Sequence, residues 1–74
     1  MRSGYSDGAR ALTPRMRDVL RLAAAGRTVT QTALELGVAE ATVSNVRAAL
    51  FARLGAHNVT GAIAAARQRG DLAA

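Results

Sequence analysis

The chain contains no cysteine, so disulfides, thiolate metal sites and a cysteine nucleophile are excluded together. Folding must then rest on apolar packing, helped at most by self-association. Only two of the 74 residues are aromatic, Tyr5 and Phe51. Single strands and RNA loops are usually held by stacking bases on aromatic platforms, so this scarcity favours a duplex partner over a single-stranded one. The sole histidine, His57, falls in an expected inter-helix turn without metal-ligand spacing, and no glycine-rich phosphate loop occurs. No cofactor, metal or catalytic residue is expected, and the chain reads as a non-enzyme. Residues 1–11 include Arg2 and Arg10 but no apolar run, which excludes a signal peptide or membrane span there. A soluble, cytoplasmic protein is expected, and Met1 with its uninterrupted leader favours a small stand-alone protein.

A chain of this length makes one small domain, burying only about 60% of the surface its unfolded form exposes. That leaves little room for a catalytic cavity and makes a binding module the better expectation. Ten basic residues against five acidic ones give a net charge of +5, a field that attracts polyanions, nucleic acid first among them. Residues 1–11, rich in Ser and Gly, read as a flexible arm, and 12–72 as the folded unit. Half the residues are apolar. Their β-branched members are scattered rather than alternating, so the expected fold class is all-α.

Gly26, Gly37, Gly55 and Gly70 each stand where a helical pattern stops, which divides the chain into four helices. The first is expected from the cap Thr13, with Pro14 at its first position, to about Ala25, with Met16, Val19, Leu20 and Ala23 on its inner face. The second opens on a capping box, Thr28 and Gln31, and ends at Gly37, with Val29, Ala33 and Leu36 inward and Leu34 wet. A third helix, from about Glu40 to Leu54, starts after so short a glycine-containing turn that the two form a helix-turn-helix. Its inner stripe is Val43, Val46, Leu50 and Leu54, flanked by Phe51, while Ala41, Ser44, Asn45 and Ala48 point outward. The last helix is expected to be capped by Thr60 and to run to about Arg69.

The stretches Leu12-Thr13-Pro14-Arg15, Ala24-Ala25-Gly26 and Val38-Ala39-Glu40-Ala41-Thr42-Val43, followed by Leu50, Arg53, Leu54, Gly55, Asn58, Thr60 and Ala62, resemble the LuxR/GerE family of bacterial helix-turn-helix domains. The resemblance runs from about Leu12 to Leu72. It implies a four-helix LuxR-type domain that regulates transcription by binding double-stranded DNA, with the third helix in the major groove and dimerisation through the fourth. Ala62, Ile63, Ala65 and Ala66 would form that dimer contact. The chain also departs from the family's pattern. Met16 replaces a usual acid, Ala39 a usual capping serine, Ser44 a usual basic residue, Val46 a histidine, Arg47 an apolar residue and Val59 an arginine. Loss of the serine cap weakens the third helix's start by about 1 kcal/mol.

In the major groove, Asn45 can pair with adenine, Ser44 with several base edges, and Ala41 or Ala48 can lie against thymine methyls. Thr42 resembles the family's phosphate-contacting threonine. Arg47 and Arg53 are the nearest cations, and Thr28 and Thr30 stand at a helix start that can meet phosphate. The competing reading is a protein-binding module, docking on RNA polymerase or another regulator, supported by Val46, Ala48, Val59 and an exposed Leu34.

Overall fold

The computed structural model describes residues 11–72, and among these are four α-helices and no strand. They are α1 (Pro14–Ala24), α2 (Val29–Leu36), α3 (Glu40–Leu54) and α4 (Val59–Arg69). The expected arm, Ala11 excepted, lies outside the described residues.

Local chemistry accounts for each helix start. Thr13 Oγ1 accepts from the Met16 amide at 3.1 Å, and Met16 has no side-chain group with which to return the bond. In α2 the box closes both ways. The Gln31 amide donates to Thr28 Oγ1 at 3.1 Å, and the Thr28 amide donates to Gln31 Oε1 at 2.9 Å. Ala39 caps α3 without any side-chain bond, and Glu40 in the first turn compensates in part through the helix dipole. The start of α4 differs from the expectation. Asn58, not Thr60, is the cap, its Oδ1 accepting the Gly61 amide at 2.8 Å and its carbonyl accepting the Ala62 amide at 2.9 Å. Thr60 therefore lies inside the first turn, because an asparagine two residues earlier already satisfies the open amides.

All four helices end alike. The residue after the terminal glycine donates back to a carbonyl in the helix, through Arg27 to Leu22, Val38 to Ala33, Ala56 to Phe51 and Asp71 to Ala66, at 2.8–3.0 Å. This closure needs a left-handed residue. At Gly37, which joins α2 to α3 through only Val38 and Ala39, φ is +69°. The tight turn keeps α2 and α3 neighbours, and α3 packs against all three other helices.

The core gathers Leu12, Met16, Val19 and Leu20 from the N-terminal side, Leu50 and Leu54 from α3, and Ala62 and Ala66 from α4. Val43, Ala23, Ala33 and Thr32 are buried as well. Thr32 was not among the expected core residues. It shares a face with Val29 and Leu36 at helical spacing, so periodicity alone could have placed it inward.

Restoring a capping hydroxyl should stabilise the domain: Ala39→Ser is expected to add about 1 kcal/mol. In urea the midpoint should rise while the slope of the transition stays that of the wild type. A midpoint that does not move would show that Glu40 already supplies what the cap lacks.

Candidate nucleic-acid interface

With Val43, Leu50 and Leu54 inside, the rotation of α3 is set, and 100° per residue carries Ala41, Asn45, Ala48 and Ala52 to the opposite side. All four are exposed, as are Ser44, Thr42 and Ala49. Ala41, Ser44, Asn45 and Ala48, the expected base-reading residues, thus share one exposed surface of a single helix. No charged side chain stands in its centre.

Its borders differ. On one border Arg47 is half-buried, its guanidinium carbon 5.7 Å from the centroid of the Phe51 ring one turn on. Such a cation over an aromatic face contributes about 0.5–1 kcal/mol where partly exposed and reduces the number of conformations available to the arginine. Arg47 precedes Phe51 by four residues and follows Ser44 by three, so all three lie along one edge. Arg53 lies about 180° around the helix from Ser44. Its guanidinium donates to the carbonyl of Ala11, 42 residues away, so the structure does not bring Arg53 together with the outward face.

Thr28 and Thr30, at the start of α2, are exposed. Thr28 already uses its oxygen in the capping box. The acids are mostly occupied by arginines: Asp18 by Arg21 at 2.7 Å, Glu35 by Arg27 at 2.9 Å, and Asp71 by Arg69 at 3.1 Å and Arg17 at 3.7 Å. Among the described carboxylates Glu40 alone has no ion pair. The described residues hold no cluster of three metal-binding side chains, and none of their helices is long and apolar enough to cross a membrane.

The expected dimer contact needs correcting. Ala62 and Ala66 are 1% and 0% exposed and belong to the core, while Ile63 and Ala65 are only partly exposed. These alanines are small because α4 lies close against α1 and α3 within one chain, so two of the four cannot meet a second copy. The outer side of α4 is formed by Thr60, Ala64 and Arg67, with Ile63 at its border.

Compared with known proteins, residues 10–66 match the family described as bacterial regulatory proteins, luxR family. No curated protein and no solved structure matches the chain.

The two faces of α4 can be told apart by substitution. Ala66→Leu should overpack the core and cost about 1–3 kcal/mol at every protein concentration, whereas Ala64→Leu should cost under about 0.5 kcal/mol. Thermal unfolding followed by circular dichroism at two concentrations checks this. Equal tolerance at both positions would contradict the burial of Ala66.

Proposed function

The chain belongs to the luxR family of bacterial regulatory proteins, a family of helix-turn-helix DNA-binding regulators, and on that footing we propose that it binds duplex DNA sequence-specifically through α3. The observation that carries this reading is the exposure of Asn45 on the side of α3 opposite the buried Val43, Leu50 and Leu54, with Ser44 exposed at the edge of that side. The major groove is wide enough for one helix, and polar or small residues on its outer face allow close approach to base edges.

In this mode Asn45 pairs with adenine through its amide, Ser44 donates to or accepts from a neighbouring base, and Ala41 and Ala48 contact thymine methyls. Phosphates flanking the groove are met by Thr42, by Thr30 and the Thr28 hydroxyl at the start of α2, and by Arg47, held on the ring of Phe51. The net charge of +5 draws the chain to DNA over a distance of about 10 Å at ordinary salt. Two alanines among four reading positions give one copy few base-specific bonds. Two copies on adjacent half-sites raise affinity through effective concentration. The surface of α4 that joins them is its outer side, with Ile63, Ala64 and Arg67.

Leu34, 78% exposed, favours a second reading in which the domain docks on a protein such as RNA polymerase or another regulator. That residue stands on α2, so the surface it offers is not the outward face of α3. Ionic strength separates the readings, because binding to phosphates weakens steeply with salt and an apolar contact does not.

Selection from a pool of random duplexes, followed by titration of the selected sequence at several salt concentrations, tests the proposal. Ser44→Ala and Asn45→Ala should each relax preference at one or two base pairs, at a cost of about 1–3 kcal/mol on the selected site. Arg47→Gln should weaken all sequences alike and lower the salt slope by about 0.9. If no sequence is enriched and the affinity ignores salt, duplex reading is wrong.

A further inference from the structure

Several polar contacts meet where the two ends of the folded unit pass the C-terminal end of α3. Arg53, in the last turn of α3, donates through Nη1 to the Ala11 carbonyl. Arg69, at the end of α4, donates through Nη1 to the Arg53 carbonyl at 3.2 Å. Its Nε lies 3.1 Å from Asp71 Oδ2, and Arg17 Nη1 of α1 lies 3.7 Å from Asp71 Oδ1. The Asp71 side chain is only 13% exposed, and its Oδ2 is buried with no hydrogen-bond donor aligned on it. The carboxylate is therefore held by charge and by its own backbone, whose amide donates to the Ala66 carbonyl at 2.8 Å. Leu72 follows and packs against the core.

These contacts close open carbonyls at the end of α3. A helix leaves its last carbonyls open. Here the Ala56 amide closes that of Phe51, the Gly55 amide closes that of Ala52, and Arg69 closes that of Arg53. A cation there also suits the negative end of the helix dipole. Arg69, Asp71 and Leu72 all lie outside the family-matched span of residues 10–66.

We propose that Arg53 is a positioning residue rather than a phosphate ligand, and that with Arg69 and Asp71 it forms a clasp fixing the C-terminal end of α3 to α1 and to the residues leading into it. The consequence for DNA rests on the function proposed above, whereas the clasp itself does not. A guanidinium bonded to Ala11, on the far side of the helix from Ser44, must leave that carbonyl to reach a phosphate beside the outward face. Where it stands, it sets the tilt of α3. That tilt is held at the other end by the Gly37 turn and Val43, and it decides which base pairs the outward face can reach.

Asp71→Asn and Arg53→Gln, compared with the wild type and with Arg47→Gln, test this in the full chain by two measurements. In native-state amide exchange, the amides from Phe51 to Leu54 should open about fivefold more readily in both clasp variants, Arg53→Gln losing its hydrogen bond to Ala11 and Asp71→Asn the charge that holds Arg69 at the Arg53 carbonyl. Those of Val19 and Leu20 should be unchanged. Unaltered exchange in the last turn, or equal acceleration in the core, overturns the clasp.

The second measurement is anisotropy with a fluorescein-labelled, mixed-sequence duplex across a range of potassium chloride. Arg53→Gln should weaken binding about threefold to fivefold while keeping the wild-type salt slope, unlike Arg47→Gln. Asp71→Asn provides a test of sign. Removing a negative charge strengthens binding to a polyanion on charge alone, whereas a loosened α3 weakens it, here by about threefold. A lowered slope in Arg53→Gln, or tighter binding by Asp71→Asn, refutes the positioning role. Failure of the wild type to bind the duplex overturns the DNA reading instead, and amide exchange then decides the clasp.

Discussion

Val43, Leu50 and Leu54 leave water together, and their spacing of seven and four residues puts them on one side of α3. Burying each such side chain contributes about 1.5–3 kcal/mol, while a typical hydrogen bond contributes about 0.5–1.5 kcal/mol. No polar contact on the surface of α3 can therefore turn the helix against its apolar side. A rotation by one residue would expose much of that stripe and carry Ser44 or Asn45 toward the interior. The outward face is thus determined by residues that never touch a partner, and the Gly37 turn, by keeping α2 beside α3, supplies part of the wall against which the stripe packs.

That dependence explains which parts of the fold were legible in the sequence. Helices α1 and α3 carry leucine, valine and methionine at helical spacing, set among arginines in α1 and largely among smaller alanine, serine and asparagine residues in α3, where side-chain size marks the inner side. Their inner faces could be read directly. The caps Thr13 and Thr28 and the four glycine stops were equally readable, because they act over three to five residues of chain. In α4 the contrast is missing. Alanine stands both inside, at Ala62 and Ala66, and outside, at Ala64, and its methyl group is too small for hydropathy to mark a side. Burial of Ala62 and Ala66 follows from how closely α4 must approach the core, which is a property of the assembled fold. The cap of α4 was misplaced for a related reason. With Asn58 and Thr60 both able to cap, the apolar pattern of so uniform a helix could not choose between them.

Contacts between distant residues were the least legible part of the candidate site. The outward positions of Ser44, Asn45, Ala41 and Ala48 follow from periodicity, but their chemical roles came from the family resemblance and from the geometry of the groove. Arg53 shows the limit of that route. Its place on the border of α3 made it a natural phosphate candidate, and no neighbour along the helix marks it as engaged elsewhere. The difference from Arg47 lies in what each meets. Phe51, four residues on, holds Arg47, and that pairing could be read from spacing. Ala11, 42 residues back, holds Arg53, and only the path of the folded chain brings those two together.

The distribution of charge ties these features to the proposed function. A DNA-reading helix that carries cations on its outer face gains affinity for any sequence, which masks the smaller differences between bases. Here the centre of that face is uncharged, and the positive charge lies elsewhere: on α1, beside α2, on the borders of α3 and on α4. Most of the described carboxylates are matched by arginines where they stand, so in the proposed mode the excess positive charge acts as a diffuse field and Arg47 as the local contact. Attraction and discrimination are thereby assigned to different residues. Such a division makes a single copy weak, since neither an uncharged face nor a diffuse field holds tightly. It also makes binding depend on how accurately α3 is held, because small side chains cannot extend to compensate for a tilted helix. An arginine on the outer face could adjust its reach by an ångström or more, but Ser44 and Ala48 cannot. The accuracy must come from the Gly37 turn at one end of α3 and from the packing and polar contacts at the other.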